Sequence, residues 1–467
     1  MHRFYIHTFG CQMNVHDSQR MAELLRESGM VPADDPEDAD LVVVNTCSVR
    51  EKAEHKLDSE LGKLRRMKAR KAGRTVLAVA GCVAQQRGER LLARVAGLDI
   101  VLGPDNLTEL PKLARAVAGG AAPVVSTSFD LDAPTFLGTR AESDRTTPSV
   151  FVSISKGCDE RCSFCIVPST RGPERHRSAD EIIEEVRALA KAGACEVVLL
   201  GQTVNGYRDP AGVLGHRPVG ARSDFSALLR RIAEAVPSLQ RLRYTSSHPR
   251  YFDAHLADVH RELPMLCRHV HMPVQTGSDR MLRRMVRRHT RREYLDSVRA
   301  LQHAQPGLTV STDLIVGFPG ETDDDFEHTL LLMREVPFMG VYAFKYSPRP
   351  GTPALRFEDD IPEHVKSERL SRVFELSDAL QRDHLETLLG TVQRVLLEEP
   401  SPRGDGSLSG RTERNEIVHV SPQEGLRIGD GVVPLRIACV FRHSLQGELD
   451  RTAREVPDSV RRRLPLV

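Results

Sequence analysis

The segment KGCDERCSFCIVPSTRG (156–172) contains three cysteines within eight residues, at Cys158, Cys162 and Cys165. These residues, which we call the loop triplet, follow an apolar segment that ends at Ser155 and is predicted to be a β-strand. Three thiolates on one short loop can bind three corners of an iron–sulfur cube, which usually has four thiolate ligands. Because no fourth cysteine stands nearby, the spacing predicts a 4Fe-4S centre with one iron open to a small molecule.

The competing interpretation of the loop triplet is a zinc site in which His176 supplies a fourth ligand. Structural zinc sites are four-coordinate, and their cysteines commonly come as paired C-x2-C hooks. The C-x3-C-x2-C spacing matches such a pair poorly. The iron–sulfur centre is therefore favoured, and the zinc interpretation stays open at this point.

Three further cysteines, Cys11, Cys47 and Cys82, form what we call the sheet triplet. Each directly follows an apolar segment predicted to be a strand, in FYIHTFGC, LVVVNTC and LAVAGC. Because the carboxyl ends of parallel strands line one edge of a sheet, where ligands bind, the three thiols are expected to meet there. A single cysteine of this kind is commonly a core residue, but three in the same position predict a second cluster with an open iron.

The composition excludes several classes of protein. The chain has 467 residues, of which 40% are hydrophobic and 28% are charged, as is ordinary for a soluble globular protein of several domains. No apolar run is long enough for a membrane span, and the polar start lacks a signal peptide, so a cytoplasmic protein is expected. Nine cysteines in that compartment favour metal or redox chemistry over disulfides. Cys195, Cys267 and Cys439 lie in apolar segments and are predicted to be core residues.

Alternating strand and helix patterns predict an α/β protein with several domains. Residues 1–118 predict an N-terminal parallel-sheet α/β domain, and residues 119–147, which lack periodicity, predict a linker. Residues 148–386 contain six βα units and favour a partial (β/α)6 barrel over a doubly wound sheet, although periodicity alone does not separate the two. Residues 387–451 predict a small all-β barrel, and residues 452–467 predict a tail.

These motifs resemble the radical S-adenosylmethionine methylthiotransferase family over nearly the whole chain. The blocks TFGCQMN, VVNTCSVREKA and AGCVAQQ are similar to the family's N-terminal domain, and GCDERCSFCIVPSTRG is similar to its radical centre. The blocks LLGQTVNGY, YTSSHP, HMPVQTGSDRMLRRM, STDLIVGFPGET and FKYSPRPGTPA follow in the family's order. The segments GRTERNEIVHV and LQGEL resemble a TRAM domain, which is a small RNA-binding barrel.

The resemblance implies two 4Fe-4S clusters and S-adenosyl-L-methionine as cofactors. The cluster on the loop triplet would bind S-adenosylmethionine and release a 5′-deoxyadenosyl radical. The cluster on the sheet triplet would hold the sulfur that becomes a methylthio group. The C2–H of adenine is unactivated, so a radical can functionalise it where an acid or a base at neutral pH cannot, and the cofactors carry that step.

The substrate branch is expected from three blocks, IVPSTRG, QTVNGY and SSHP. They are closer to the enzymes that place a methylthio group on C2 of N6-isopentenyladenosine at position 37 of tRNA. Related branches modify N6-threonylcarbamoyladenosine in tRNA or an aspartate of a ribosomal protein. Thr203 departs from the Asn that commonly follows Gln202 in the tRNA branch, which weakens the branch assignment. A non-catalytic iron–sulfur scaffold that binds RNA is disfavoured, because a scaffold needs no cofactor-binding edge.

Five residues are expected to contact S-adenosylmethionine. Gly201 and Gln202 end a predicted strand at the cofactor edge. Gly317 and Gly320, in IVGFPGE, would permit close approach of an adenine or ribose, although an ordinary strand-to-helix turn explains them equally well. The resemblance places Phe164 near the adenine.

The expected partner is the anticodon stem-loop of tRNA, where unstacked bases can be splayed out and read. Basic residues cluster at 60–74 and 280–299. These clusters are either solvated helix faces or contacts to RNA phosphates. An arginine helix at 283–292 is expected to hold the stem of the tRNA. The candidate RNA contacts of the small barrel are Arg411, Arg414 and Arg442. An electron donor such as flavodoxin or ferredoxin is expected, and the protein is expected to be a monomer.

Overall fold

The computed structural model describes residues 1–48, 51–71, 74–131, 135–138, 147–402, 404–423 and 426–452. Residues 132–134 and 139–146 of the predicted linker, and the predicted tail beyond Thr452, lie outside these described residues. Within the described part of the chain, no helix has the length and apolar character needed to cross a membrane.

A six-stranded parallel sheet forms the N-terminal part of the chain, in the order β2-β1-β3-β4-β5-β6. Its strands are β1 (Arg3–Phe9), β2 (Val31–Pro32), β3 (Leu41–Thr46), β4 (Val76–Gly81), β5 (Ile100–Leu102) and β6 (Val124–Ser126). Its helices are α1 (Gln12–Glu27), α2 (Glu51–Arg70), α3 (Cys82–Arg94) and α4 (Leu110–Ala118). Strands β3 and β4 are buried along their whole length, because α2 and α3 cover one face of the sheet and α1 and α4 the other. This confirms the predicted parallel-sheet α/β fold.

Six parallel strands in chain order form the central part. They are β7 (Ser149–Ser153), β10 (Glu196–Leu200), β11 (Arg241–Tyr244), β12 (His269–His271), β13 (Thr309–Val316) and β14 (Gly340–Lys345), and a short hairpin of β8 (Ser155–Lys156) and β9 (Arg175–His176) lies beside them. The strands pair as two parallel groups of three, which a bridge between Leu242 and Leu266 connects. Because the strand order never reverses, the predicted partial barrel is confirmed over a doubly wound sheet.

Eight helices accompany these strands in the described residues. They are α5 (Val167–Arg171), α6 (Ala179–Lys191), α7 (Phe225–Ala235), α8 (Ala254–Glu262), α9 (Asp279–Arg284), α10 (Arg291–Ala304), α11 (Asp323–Glu335) and α12 (Glu363–Glu386). The expectation of one arginine helix over 283–292 is wrong. The chain leaves helical structure after α9 and re-enters it at Thr290, whose side chain caps α10 by accepting a hydrogen bond from the Glu293 N–H.

The barrel interior can be assigned from the alternation of side chains along each strand. In β10, Val197 and Leu199 pack among the residues of the surrounding helices, so Val198 and Leu200 face inward. In β7, β13 and β14, residues that pack among the helices likewise alternate with residues that face inward. The barrel interior, as the term is used here, is lined by Phe151, Val198, Leu200, Asp313, Ile315, Tyr342 and Phe344.

A closed five-stranded barrel ends the described chain, as the sequence predicts. Its strands are β15 (Val392–Pro400), β16 (Leu408–Thr412), β17 (Ile417–Val420), β18 (Val432–Val440) and β19 (Leu445–Leu449), in the order β15-β16-β17-β19-β18. The prediction that Cys439 is a core residue is wrong, because its side chain is exposed. The register between β18 and β19 shifts between Ile437 and Cys439, and that irregularity turns the side chain outward. Cys195 and Cys267 are buried, as predicted.

Two buried arginines join the small barrel to the central one. Arg241 donates from Nη1 to the carbonyl oxygen of Arg411 at 2.8 Å and from Nη2 to that of Arg394 at 2.6 Å. Arg243 donates from Nη2 to the carbonyl oxygen of Thr412 at 3.2 Å. Arg241 is the first residue of β11 and therefore marks the amino end of that strand. The small barrel therefore packs at the amino ends of the central strands, opposite the loop triplet.

We expect Arg241→Ala to destabilise the full chain by about 3 kcal/mol, because two buried carbonyl groups would lose their donor. Thermal unfolding followed by circular dichroism would show this as a lower Tm of the transition that includes the small barrel. The matched control is Arg231→Ala, which removes an exposed ion pair with Glu234 and should change stability by less than about 0.5 kcal/mol. Equal Tm values for the two variants would contradict the prediction.

Candidate active site

The loop triplet lies on a loop that folds back on itself between β8 and β9. Gly157 has φ +75°, and a Cβ at that position would stand 1.9 Å from the carbonyl oxygen of Pro173. Only glycine fits this close approach of two backbone segments. The Cys158 N–H donates to the carbonyl oxygen of Gly172 at 3.2 Å and closes the loop. The backbone therefore fixes where the first cysteine of the loop triplet stands.

Two side chains contact the sulfur atoms of the loop triplet. The hydroxyl of Thr203 lies 3.2 Å from Cys158 Sγ. Arg287 is buried and donates from Nη1 to Cys162 Sγ at 3.4 Å and from Nη2 to the carbonyl oxygen of Pro273 at 2.7 Å. Hydrogen bonds to ligand sulfurs tune iron–sulfur centres. The residue that departs from the family pattern, Thr203, is thus a direct neighbour of a predicted ligand.

The environment of the loop triplet fits a cluster better than a single zinc ion. His176, the fourth ligand of the zinc interpretation, instead packs its ring against Tyr207 with the ring centroids 5.5 Å apart. Burial raises the pKa of Cys158 to about 11 and that of Cys165 to about 12, so these thiols must release protons when they bind metal.

The structure brings the three cysteines of the sheet triplet together. Strands β1, β3 and β4 are neighbours in register, Cys11 and Cys47 follow the first two, and Cys82 begins α3. A Cβ on Gly10 would stand 2.7 Å from Cys47 Cβ, so the two segments touch at a glycine. The hydrogen bond with Cys47, supported by the charge of Arg171, lowers the pKa of Cys11 to about 6 despite its burial. The role of these thiols as cluster ligands stays a prediction.

A buried amide network holds the strand ends beneath the sheet triplet. Asn14 Oδ1 accepts from the Cys11 N–H at 3.3 Å, and Asn14 Nδ2 donates to Asn45 Oδ1 at 3.2 Å. Asn45 donates in return to the carbonyl oxygen of Asn14 at 2.8 Å and to Ser18 Oγ at 2.9 Å. The motifs TFGCQMN and VVNTCSVREKA contain these two asparagines, but their role in this network was not predicted. Asn45 lies in a segment predicted to be a buried strand, two residues before Cys47. A buried amide needs hydrogen-bond partners, so its presence there could have indicated the network.

Cys11 connects the sheet triplet to the barrel interior. Cys11 and Met13 pack against Phe151, Val198 and Leu200, which are inward-facing residues of β7 and β10. On the other side of the same interior, Ile315 belongs to an apolar cluster that also contains Phe164, the residue directly before Cys165 of the loop triplet. Cys11 and the loop that carries the loop triplet therefore both contact residues that line the barrel interior.

Unpaired polar atoms mark the predicted cofactor edge. Both amide atoms of Gln202 are buried without a hydrogen-bond partner, and so is the hydroxyl oxygen of Ser155. A Cβ on Gly201 would stand 2.5 Å from that hydroxyl oxygen, so Gly201 lets the two strand ends approach closely. Buried polar groups in proteins normally have a hydrogen-bond partner, which can be water, an ion or a ligand. The amino, carboxylate and ribose groups of S-adenosylmethionine would supply such partners.

The other three expected cofactor contacts have neighbours within the chain. A Cβ on Gly317 would stand 2.4 Å from Lys366 Cγ, and the nearest atom to one on Gly320 is Arg284 Nε at 3.3 Å. The two glycines, at φ +66° and +79°, therefore serve a turn that packs tightly against this chain's own side chains. Phe164 is half-buried in an apolar cluster. Contact of these three residues with S-adenosylmethionine stays a prediction.

The arginines expected to bind RNA are largely engaged inside the molecule. Arg411 donates to Glu398 at 3.3 Å, and Arg414 forms an ion pair with Glu416 at 3.2 Å. Arg442 is exposed but pairs with Asp378 on α12. Within the cluster 280–299, Arg280, Arg291 and Arg299 form ion pairs with carboxylates of α11. Their contact with RNA stays a prediction.

Comparison with known proteins defines the class first. Residues 152–333 match the family model described as Radical SAM superfamily, and residues 3–103 match the model described as Uncharacterized protein family UPF0004. A radical S-adenosylmethionine methyltransferase from Kitasatospora setae superimposes with a TM-score of 0.53 at 15% identity, over 81% of this chain and 89% of the other. That likeness concerns the fold alone. The protein is thus a radical S-adenosylmethionine protein, a class that binds a 4Fe-4S cluster and S-adenosylmethionine.

Sequence relatives then define the family. The chain is 55% identical to a protein of Sorangium cellulosum over 100% of this chain and 99% of that protein, and 44% identical to one of Geobacter sulfurreducens over 95% and 97%. A protein of Ralstonia nicotianae is 42% identical over 98% and 99%. All three are named tRNA-2-methylthio-N(6)-dimethylallyladenosine synthase. The chain belongs to this family of tRNA methylthiotransferases.

Proposed function

We propose that this protein transfers a methylthio group to C2 of N6-dimethylallyladenosine, the N6-isopentenyladenosine at position 37 of tRNA. One observation carries the proposal, namely that Cys11 of the sheet triplet and Phe164, beside Cys165 of the loop triplet, contact residues that line the same barrel interior. One such centre suffices to generate a radical. A second set of thiols facing the same space supports a reaction that also needs a source of sulfur.

The chain's own residues divide into those that hold the cofactors and those that receive the substrate. The loop triplet would hold the cluster that binds S-adenosylmethionine, with Gln202 and Ser155 as partners for its polar groups. The sheet triplet would hold the second 4Fe-4S cluster. When bound, these groups supply the sulfur and the carbon radical that the unactivated C2–H requires. The residues that face them shield that chemistry from water.

The wall of the barrel interior formed by β13 and β14 suits a prenylated adenine. Asp313 pairs in register with Tyr342, and Ile315 pairs with Phe344. Tyr342 is 49% exposed and Phe344 38% exposed, although both face inward. Aromatic faces stack on bases that have left the RNA helix, and an apolar wall suits a dimethylallyl group. Asp313 lies 3.5 Å from His271 Nε2, and a carboxylate on this wall would disfavour the anionic threonylcarbamoyl group, which favours the prenyl branch.

The two triplets should separate the two halves of the reaction. In anaerobically reconstituted protein, replacing the loop triplet by alanine should lower the iron content from about eight to about four per chain, if both clusters are cubane. That variant should release no 5′-deoxyadenosine from S-adenosylmethionine and reductant. The sheet-triplet alanine variant should still release it but form no methylthio product on tRNA. Liquid chromatography with mass spectrometry measures both products.

The matched control for this experiment is Cys439→Ser, which changes an exposed cysteine outside both triplets. It should retain the iron content and both products. Full iron content in either triplet variant would contradict the proposed ligands. A wild-type product other than a 2-methylthio nucleoside would contradict the proposed reaction.

The inward-facing aromatic wall gives a test of the substrate branch. Phe344→Ala should lower kcat/KM for prenylated tRNA by about tenfold, since loss of one stacking contact costs about 1–3 kcal/mol. Phe374→Ala, which removes an exposed aromatic ring from α12 outside the barrel interior, is the control and should leave kcat/KM unchanged. Equal effects of the two variants would remove the wall from the proposal. Efficient conversion of N6-threonylcarbamoyladenosine would remove the prenyl branch.

The proposal also includes the protein's partners and setting. The anticodon stem-loop of tRNA is the substrate body, and the TRAM-like small barrel would bind its stem. A flavodoxin or ferredoxin would deliver single electrons to a cytoplasmic monomer. Light scattering of the purified protein and reduction assays with each donor would test these points.

A further inference from the structure

Arg171 connects the two cysteine triplets. It is the last residue of α5, the short helix that begins just after the loop triplet. Its side chain is buried and reaches across to the N-terminal sheet, where it donates from Nε to Cys82 Sγ at 3.3 Å. The radical motif and a predicted ligand of the second cluster are thus joined by one side chain.

Asp17 fixes the other end of this guanidinium. Arg171 Nη2 donates to Asp17 Oδ2 at 2.6 Å, and Asp17, on α1, is itself buried. The guanidinium is planar and its donors form a rigid fork, so the contact with Asp17 sets the direction of the N–H that points at Cys82. The carbonyl oxygen of Arg171 accepts from Arg175 Nη2 at 2.8 Å, which holds the backbone as well. The Arg171 guanidinium is therefore held in one orientation, with its Nε–H directed at Cys82 Sγ.

A charge in this position acts on the reduction of a cluster. Reduction adds one negative charge, which a buried cation beside a ligand sulfur stabilises and a buried anion opposes. Hydrogen bonds to the sulfurs, net charge and burial set the potentials of such clusters. Water screens this interaction little, because the side chains of Arg171 and Asp17 are only 5% and 9% exposed.

We infer that Arg171 is a positioning residue that orients Cys82 and raises the reduction potential of the cluster on the sheet triplet, while Asp17 lowers it. This inference rests on the proposed function, because it requires a cluster on that triplet. It gives the two residues opposite effects on one measurable quantity. A purely structural ion pair would give them the same effect, since either loss would break the pair.

The test uses the full chain with the loop triplet replaced by alanine, so that only the second cluster remains. Redox titration followed by electron paramagnetic resonance gives its potential. Arg171→Gln should lower the reduction equilibrium constant about tenfold, and Asp17→Asn should raise it by a similar factor, which is about 59 mV in each direction for one electron. Arg171→Lys, which keeps the charge, should lie between Arg171→Gln and the parent protein.

The matched control is Arg243→Gln. Arg243 is also a buried arginine paired with a carboxylate, but its Nη2 donates to Glu196 and to the carbonyl oxygen of Thr412, both at 3.2 Å, on the side of the small barrel. Its potential should equal that of the parent. Shifts of the same sign in Arg171→Gln and Asp17→Asn, or no shift at normal iron content, would overturn the inference. If the Arg171→Gln variant loses its iron, the test rests on the Asp17→Asn variant. A reduction potential of that variant no higher than the parent's would then overturn the inference.

The failure of the proposed function would look different. A parent protein that holds no iron after loss of the loop triplet would remove the second cluster from the proposed function, and the inference would fall with it. Iron at about four per chain with unchanged potentials would overturn only the role of Arg171 and Asp17.

Discussion

The parallel direction of the strands is the constraint on which the rest of this structure depends. All carboxyl ends of a parallel sheet lie on one edge, so residues distant in sequence share that edge without any further contact. Cys11, Cys47 and Cys82 use this property in the N-terminal sheet, whereas the three cysteines of the loop triplet lie on one loop of the central part. Because both parts place their cysteines at carboxyl ends, the two sheets need only meet in one orientation to bring Cys11 and the loop of the loop triplet to the same interior.

That orientation is held by buried charges rather than by apolar contacts alone. Arg171 reaches Asp17 and Arg175 reaches Asp105 across the interface between the sheet and the barrel. A buried ion pair adds little net stability, because desolvation offsets the attraction, but breaking one partner is costly. Such pairs therefore disfavour every other way of docking the two parts. Arg241 acts similarly at the opposite end of the barrel, where it fixes the small barrel through backbone carbonyls.

The sequence predicts this architecture well where a position follows from regular structure. Cys11, Cys47 and Cys82 each come directly after an apolar strand, so their meeting at one sheet edge followed from strand direction. The loop triplet followed from its close spacing, and the chain-order strands gave the partial barrel. Long polar side chains carry no such periodic signal, so the contacts of Arg171 and Arg287 with sulfur depended on tertiary packing. Cys439 shows the same limit, because a local shift in strand register reverses a side chain that the apolar pattern assigns to the core.

The position of the small barrel constrains how an RNA can be read. It covers the amino ends of the central strands, whereas the loop triplet lies beyond their carboxyl ends. A substrate bound by both must therefore run along the outside of the central barrel, and the reacting base must leave its stack to reach the interior. Since β14 ends its sheet and presents Tyr342 and Phe344 inward, the base would meet these rings on its way to the cysteines. Recognition of the RNA body and of the base modification would then rest on separate surfaces, and each could change without altering the other.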